Sequence, residues 1–341
     1  MKIVADGAIP FLDGVLDKYA EVVRLEGNRI GPRDVKDADA LLIRTRTKCN
    51  AGLLEGSRVK FIGSATIGYD HIDTEYCETN GISIHTAQGC NAMAVTHYIA
   101  SVIQYLNANN IIGDPGKTTL GIIGAGNIGS KVEKLGKLLG FEVLTNDPPR
   151  AALERGFNNT ELNELLSRSD IVTMHVPYTR TGEWPTENMA DEAFFSGMKR
   201  EAVFINTSRG EAVCEEALKE HGPKHIFLDV WRDEPRIDTG LLRITDIGTP
   251  HIAGYTVQGK ANGTASVVNA LAEHFGIEEL VGWYPQGIKK AGYIPKDGKE
   301  ILNLAAKNYD IRKDDATLRQ SPETFEQQRI KYNYREEYFT L

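Results

Sequence analysis

At 341 residues, 41% hydrophobic and 25% charged, the chain has room for two domains and a small third, and its make-up is that of a globular protein. A formal net charge of -8 excludes nucleic acid as the main partner, and no apolar run is long enough to span a membrane. Four scattered cysteines (Cys49, Cys77, Cys90, Cys214) with no CxxC pair argue against zinc or any other metal site and against a disulfide framework, and point to a reducing cytoplasm.

The first stretch, Met1-Lys2-Ile3-Val4-Ala5-Asp6, meets charge at once and reads as a strand rather than a signal peptide. Lys2 to Ala5, Ala40 to Ile43, Phe61 to Gly63 and Ile82 to Ile84 are predicted strands, with helices over Pro10 to Tyr19 and Thr74 to Glu78. A longer helix is predicted from Ala92 to Leu106. A second series follows, with strands at Thr119 to Ile123, Glu142 to Thr145, Ile171 to Met174, Ala202 to Ile205 and Ile226 to Val230. Helices at Ile128 to Leu139, Glu161 to Arg168 and Val213 to Glu220 separate them. Alternating strands and helices imply parallel sheets with right-handed crossovers.

Val257 to Phe275 reads as a helix that returns the chain to the first domain. The predicted division is therefore a discontinuous domain over 1–91 and 257–281, a second domain over 92–256, and a linker with a C-terminal region over 282–341. Ile301 to Tyr309 and Thr324 to Tyr338 are amphipathic but too short for an independent core, so they need a partner surface on this chain or on another.

Gly124-Ala125-Gly126-Asn127-Ile128-Gly129 sits between a predicted strand and a predicted helix. Glycines in that place allow a tight turn and a close approach of a pyrophosphate to the free N–H groups of the helix. Asp147 ends the next strand about 20 residues further on, where a carboxylate binds ribose hydroxyls and repels a 2′-phosphate. NAD is thus the expected cofactor, with nearby Arg150 keeping NADP open.

Arg209, Glu234 and His251 each fall just after a predicted strand of this second series. Singly they read as a surface ion-pair partner, a solvated loop residue and a capping or core histidine. Together they supply what oxidation of a 2-hydroxy acid needs: a guanidinium that grips a carboxylate through two hydrogen bonds, and a histidine that accepts a hydroxyl proton beside a carboxylate. Asp233 adjoins Glu234 and competes with it on spacing alone. Arg44, Thr45, Arg46 and Lys48 concentrate positive charge in an acidic chain. In an extended segment their cations would share one face, suited to a phosphate or equally to a solvated edge strand. Ser64-Ala65-Thr66-Ile67-Gly68 reads equally as an anion-binding loop or a plain turn.

These motifs, with Asp229-Val230-Trp231, Thr249-Pro250-His251-Ile252-Ala253-Gly254-Tyr255-Thr256, Gly89-Cys90-Asn91-Ala92 and Tyr309-Asp310-Ile311-Arg312-Lys313-Asp314-Asp315, resemble the D-2-hydroxyacid dehydrogenases. The branch that acts on erythronate 4-phosphate fits over nearly the whole chain. The resemblance implies a Rossmann-type doubly wound parallel sheet inserted into a smaller flavodoxin-like α/β substrate domain, plus a short C-terminal dimerisation arm making a homodimer. It implies NAD-dependent oxidation of 4-phospho-D-erythronate at C2, a step towards pyridoxal phosphate. Gly124, Gly126, Asn127, Ile128, Gly129, Asp147, Val176, Thr207, Ser208, Asp229 and Gly254 would meet the cofactor. Arg44, Thr45, Arg46, Thr66 and Tyr255 would meet the substrate, with the Ser64 to Gly68 loop taking its carboxylate. Substrate is expected in a cleft that closes to exclude water.

The chain departs from that pattern at His97, where an acidic residue is expected, at Arg46, and in a tail that stops at Leu341. Arg312, Lys313 and Arg319 would either reach a neighbouring subunit's cleft or pair with Asp310, Asp314 and Asp315. Another D-2-hydroxy acid such as 3-phosphoglycerate, and a dinucleotide-sensing protein without catalysis, remain alternatives.

Overall fold

Eleven strands form two parallel sheets in the computed structural model, which describes every residue from Met1 to Leu341. By their internal contacts, residues 1–91 with 256–290 form one compact unit, and residues 92–255 with 291–341 form another. No helix is long and apolar enough to cross a membrane.

The first unit holds β1 (Lys2–Asp6), β2 (Glu21–Leu25), β3 (Ala40–Ile43), β4 (Phe61–Ser64) and β5 (Ser83–Thr86) in the order β2-β1-β3-β4-β5. The central β3 is buried along its whole length, as a parallel strand covered on both faces must be, whereas the edge strands β2 and β5 keep half-exposed residues. The helix Val257–Phe275 starts at Thr256, whose hydroxyl accepts the Gly259 amide at 2.9 Å. It buries Val268, Leu271 and Ala272 in one cluster with Ile3, Leu42 and Phe61. The strand order reverses between β1 and β3, and ligands of such sheets bind beyond the carboxyl ends of the strands at that reversal.

Two local expectations fail here. Pro10 to Tyr19 forms turns rather than a helix, because Phe11 (φ 62°) and Gly14 (φ 77°) take left-handed conformations that a helix cannot contain. The buried Leu12 and Leu16, four apart, account for the helix-like spacing. The basic segment after β3 is also not extended: it turns at Thr45 and Arg46, and Thr47 points inward to donate to the Gly27 carbonyl at 2.8 Å. Its cations therefore do not alternate along one face, and a position after a central strand removes the edge-strand explanation for them.

The second unit orders β6 (Thr119–Ile123), β7 (Glu142–Asn146), β8 (Ile171–Met174), β9 (Val203–Asn206), β10 (His225–Leu228) and β11 (Ile247–Gly248) as β11-β10-β9-β8-β6-β7. The reversal falls between β6 and β8. Its tail has three helices, Gly298–Asn308, Ile311–Gln320 and Phe325–Ile330. The second of these was not expected, and the third replaces the longer amphipathic stretch predicted to run to Tyr338.

The surface these helices need lies on their own chain. Ile301, Ala305, Ile311 and Phe339 join Tyr98, Ile103, Leu120 and Ile122 in one buried cluster, and Leu318 and Phe325 join Trp231 and Leu241 in another. Asp315 accepts the Gly248 amide at 2.7 Å, and Arg319 donates to the carbonyls of Leu242 and Thr245. Arg312 pairs with Asp310 at 2.7 Å and Arg319 with Asp315 at 2.9 Å, so these two cations are used within the tail.

His97 holds the end of that tail. Its ring is 1% exposed, its Nε2 meets the Phe339 carbonyl at 3.0 Å, and Tyr338 stacks on it at 4.2 Å. Burial pushes its pKa down to about 3 from the ordinary 6.5. The folded state thus keeps His97 neutral where the unfolded chain takes up a proton, so its stabilising contribution is complete above pH 6.5 and is lost as pH falls towards 3. Urea unfolding between pH 6.5 and 4.5 should show stability falling, with this histidine contributing about 1.4 kcal/mol per pH unit. His97→Gln should be shallower by about one proton. Equal slopes in the two proteins would contradict this account of the tail's anchor.

Candidate active site

The segment from Gly124 to Gly129 joins β6 to the helix Gly129–Leu139. Gly124 has φ 86°, and a Cβ on it would lie 2.6 Å from the His175 carbonyl oxygen; on Gly129 it would lie 1.9 Å from that of Gly124. A Cβ on Gly126 would meet nothing within 4 Å, so that part of the turn is open to an approaching group. Asn127 is exposed, and the Ile128 carbonyl accepts the amides of Lys131 and Val132 to begin the helix. Val176, after β8, lies against Gly124. A tight turn that only glycine permits, leading into free helical N–H groups, fits a pyrophosphate.

Asp147 follows β7 and accepts the Ala125 amide at 2.7 Å and the Arg150 amide at 2.9 Å, so it braces the turn as well as the next helix. Arg150 pairs with Glu154 at 2.7 Å, donates to the Ala125 carbonyl and the Ser130 hydroxyl, and lies 4.5 Å from the Phe157 ring centroid. With its donors taken up, this guanidinium no longer supplies the argument for NADP.

β9 ends at Asn206, whose Oδ1 accepts both the amide and the hydroxyl of Ser208 and whose Nδ2 donates to the Arg209 carbonyl at 2.9 Å. Thr207 contacts Nδ1 of His175 at 3.3 Å through its hydroxyl. The half-buried Arg209 donates from Nη1 to the Ser208 carbonyl at 2.7 Å. A Cβ on Gly210 would lie 2.0 Å from the Trp231 carbonyl carbon, so glycine alone lets this loop pack on the one carrying Glu234.

Glu234 uses both oxygens: Oε1 accepts the Trp231 amide at 3.0 Å, and Oε2 lies 2.8 Å from His251 Nδ1. Burial would raise its carboxyl, but the charge and hydrogen bond of His251, with Arg329 nearby, more than offset this and hold it below the ordinary range. An ionised carboxylate only accepts, so Nδ1 of His251 carries a proton, and in the neutral form of the ring Nε2 presents its lone pair. The exposed Asp233 takes no part in this pair.

The backbone around His251 is held separately. Asp229, 1% exposed, accepts the Thr249 hydroxyl at 2.6 Å and the amides of Ile252 and Ala253 at 2.8 and 2.9 Å. Burial raises its pKa, and those three donors with His251 oppose the shift. His251 itself has φ 55°, a left-handed conformation costing a non-glycine residue about 1–3 kcal/mol, which the surrounding bonds must outweigh. Gly254 and Tyr255 follow directly. Tyr332 and Tyr334 of the tail each lie edge-on to the Tyr255 ring at 6.0 Å, and Arg329 reaches its hydroxyl at 3.3 Å.

In the first unit Ile43 pairs with Ser64 across β3 and β4, so the turns carrying Arg44, Thr45 and Arg46 and carrying Thr66 leave the sheet side by side. Arg44 donates to the Ala8 carbonyl at 3.1 Å, across the reversal between β1 and β3. The Thr66 and Ser64 hydroxyls are 2.8 Å apart.

The second unit thus brings Arg209, Glu234 and His251 onto neighbouring strand ends of one sheet, with Glu234 and His251 in contact. His175, Arg329 and Arg335 belong to this neighbourhood, and no sequence reasoning singled them out: His175 adjoins a predicted strand end, but the two arginines lie far along the chain. No group of histidine, cysteine and carboxylate side chains is arranged to hold a metal. A depression of about 750 Å³ opens between Pro250 and the tail, but Arg209, Glu234 and His251 do not line it. Asp229→Asn should replace an acceptor by an amide donor facing backbone N–H groups, costing about 1–3 kcal/mol in urea unfolding. An unchanged midpoint would show that this carboxylate does not hold the loop.

Residues 97–253 match the family described as D-isomer specific 2-hydroxyacid dehydrogenase, NAD binding domain. Erythronate-4-phosphate dehydrogenases of Bacteroides fragilis and Bacteroides thetaiotaomicron are 40% and 42% identical to this chain, over 99% of it and 97% of their own length. That of Escherichia coli is 36% identical over 100% of this chain and 93% of its own. Among solved structures, D-lactate dehydrogenase from Aquifex aeolicus complexed with NAD and lactic acid is 25% identical with a TM-score of 0.68, covering 85% of this chain and 100% of its own. The NAD+-bound 3-phosphoglycerate dehydrogenase of Entamoeba histolytica, 23% identical with a TM-score of 0.66 over 85% and 99%, shares the fold.

Proposed function

This chain belongs to the erythronate-4-phosphate dehydrogenases, an NAD-dependent branch of the D-isomer-specific 2-hydroxyacid dehydrogenases, and we propose that Arg209, Glu234 and His251 carry its oxidation of 4-phospho-D-erythronate at C2. The product is 2-oxo-3-hydroxy-4-phosphobutanoate, on the way to pyridoxal phosphate. The observation that supports the assignment of roles is the 2.8 Å contact between Glu234 Oε2 and His251 Nδ1.

Bound NAD supplies the hydride acceptor. His251 Nε2 takes the C2 hydroxyl proton, and Glu234 stabilises the imidazolium that forms while holding the ring in the useful tautomer. Arg209 orients the carboxylate and the C2 oxygen through its fork of donors. The turn from Gly124 to Gly129 takes the pyrophosphate and Asp147 the adenosine ribose. Val176, Thr207, Ser208, Asp229 and Gly254 serve the cofactor side, and Tyr255 the substrate. Arg44, Thr45 and Arg46 provide the phosphate contacts, and the loop of Thr66 the carboxylate contact. Concentrated cations in a chain of net charge -8 favour a phosphorylated substrate.

The test is NADH formation with 4-phospho-D-erythronate beside 3-phospho-D-glycerate and D-lactate. Turnover is expected with the first alone. His251→Ala should lower kcat by at least about 10²-fold with NAD binding retained. A preference for 3-phospho-D-glycerate would overturn the substrate, and full activity in the variant would overturn the base.

A cytoplasmic location and a homodimer formed through the C-terminal region complete the reading. Ile294 and Ile330 are 71% and 61% exposed in the tail, and this reading sets Ile330 against the second copy. Because the tail also fills its own unit's core, deletion would not report on assembly. Ile330→Asp, a surface change, should give a monomer by light scattering, and an unchanged dimer would remove this residue from the interface.

A further inference from the structure

Asp229 restrains only one side of the His251 loop. It pulls on the amides of Ile252 and Ala253, while the carbonyls of the same two residues need separate partners. The Ile252 carbonyl accepts the Tyr255 amide at 2.8 Å within the loop, and both carbonyls gain a partner in the tail. Nη2 of Arg335 donates to the Ile252 carbonyl at 2.9 Å and to the Ala253 carbonyl at 2.7 Å, and the Arg335 amide donates to the Tyr255 carbonyl at 3.3 Å. A single tail residue thus bonds three of the four peptide carbonyls that follow His251.

The guanidinium is built in rather than draped over the surface. Its centre lies 4.2 Å from the Tyr309 ring centroid and 6.0 Å from that of Tyr98, and its Nε and Nη1 are shut away from solvent without hydrogen-bond partners. A buried cation with two unmet donors is expensive, which a role confined to tethering the tail does not require. Asp314 lies near enough to act on it, fixed by the hydroxyls of Tyr309 at 2.7 Å and Tyr332 at 2.9 Å. The carboxylate of Asp229 acts on it as well. The loop bearing a left-handed His251 is therefore gripped between a carboxylate from the sheet and a guanidinium from the tail.

We propose that Arg335 is a positioning residue for the oxidation: with Asp229 it clamps the peptide groups of Ile252 and Ala253 and so fixes the His251 imidazole where it receives the hydroxyl proton. The tail of a subunit then completes that subunit's own catalytic apparatus. This rests on His251 being the base.

Arg335→Gln and Arg335→Lys test it through two readouts, steady-state turnover and hydrogen exchange of individual amides. Arg335→Gln should lower kcat by about 10²-fold, the scale expected when a reacting group is misplaced by about 1 Å, with NADH affinity within about twofold of wild type. Exchange of the Ile252 and Ala253 amides should speed up while that of Ile226 to Leu228 in β10 does not. Arg335→Lys should recover part of both, since an ammonium reaches one carbonyl but cannot reproduce the fork. If the glutamine variant does not fold, the lysine variant is read alone, with a smaller loss of the same kind expected. Wild-type exchange at Ile252 and Ala253 in a folded variant overturns the clamp, and so does a loss of kcat matched by an equal loss of NADH affinity. Inactivity of the wild type on 4-phospho-D-erythronate would count against the substrate alone, because the exchange measurement decides the clamp without it.

Discussion

The Asp229 carboxylate lies buried just past the end of β10 with three donors turned toward it: the Thr249 hydroxyl and the amides of Ile252 and Ala253. Those bonds fold the chain after β11 back over the strand ends and set the left-handed turn at His251. The same Thr249 hydroxyl meets the Tyr98 hydroxyl at 2.7 Å, and the Thr249 carbonyl accepts from the Trp231 indole at 2.9 Å. One buried acid therefore connects the long helix Ala92–Ala108, the loop before Glu234 and the proposed base. Its removal would be felt at each, because an unpaired polar group in this interior costs more than the bond it loses.

Charge is handled at two scales. The chain as a whole is acidic, so an anionic substrate must be drawn by cations held locally, and Arg44, Arg46 and Arg209 all follow strand ends. Around His251 the pattern is one of buried opposites, Glu234 beside the imidazole and Asp229 and Asp314 within reach of Arg335. Each partner lowers the cost of burying the other, and their hydrogen bonds make the geometry specific.

Much of this was legible in the sequence because parallel α/β sheets place function at strand ends. Once Thr119 to Ile123 reads as a strand, the turn from Gly124 to Gly129 can only lie on the ligand edge, and the same holds for Arg209, Glu234 and His251. The region before β2 misled because Leu12 and Leu16 keep a helical spacing while Phe11 and Gly14 take conformations that no pattern of hydrophobicity reveals. The helix Ile311–Gln320 escaped notice because it buries only Ile311 and Leu318 and its other residues are mostly charged. Arg335 was invisible for a plainer reason: its partners are 83 and 82 residues away, in a loop whose carbonyls leave no mark on residue type. His97 looked like the loss of an ion pair and instead anchors the last segment of the tail through the Phe339 carbonyl.

The central claim is that Glu234 fixes the tautomer of His251, with the proton on Nδ1 and the lone pair on Nε2. Nitrogen-15 NMR of the labelled imidazole at neutral pH, with NADH bound, observes this directly. The account predicts a protonated Nδ1 and an unprotonated Nε2 in the wild type. A proton resting on Nε2, with Nδ1 bare beside the carboxylate, would contradict it.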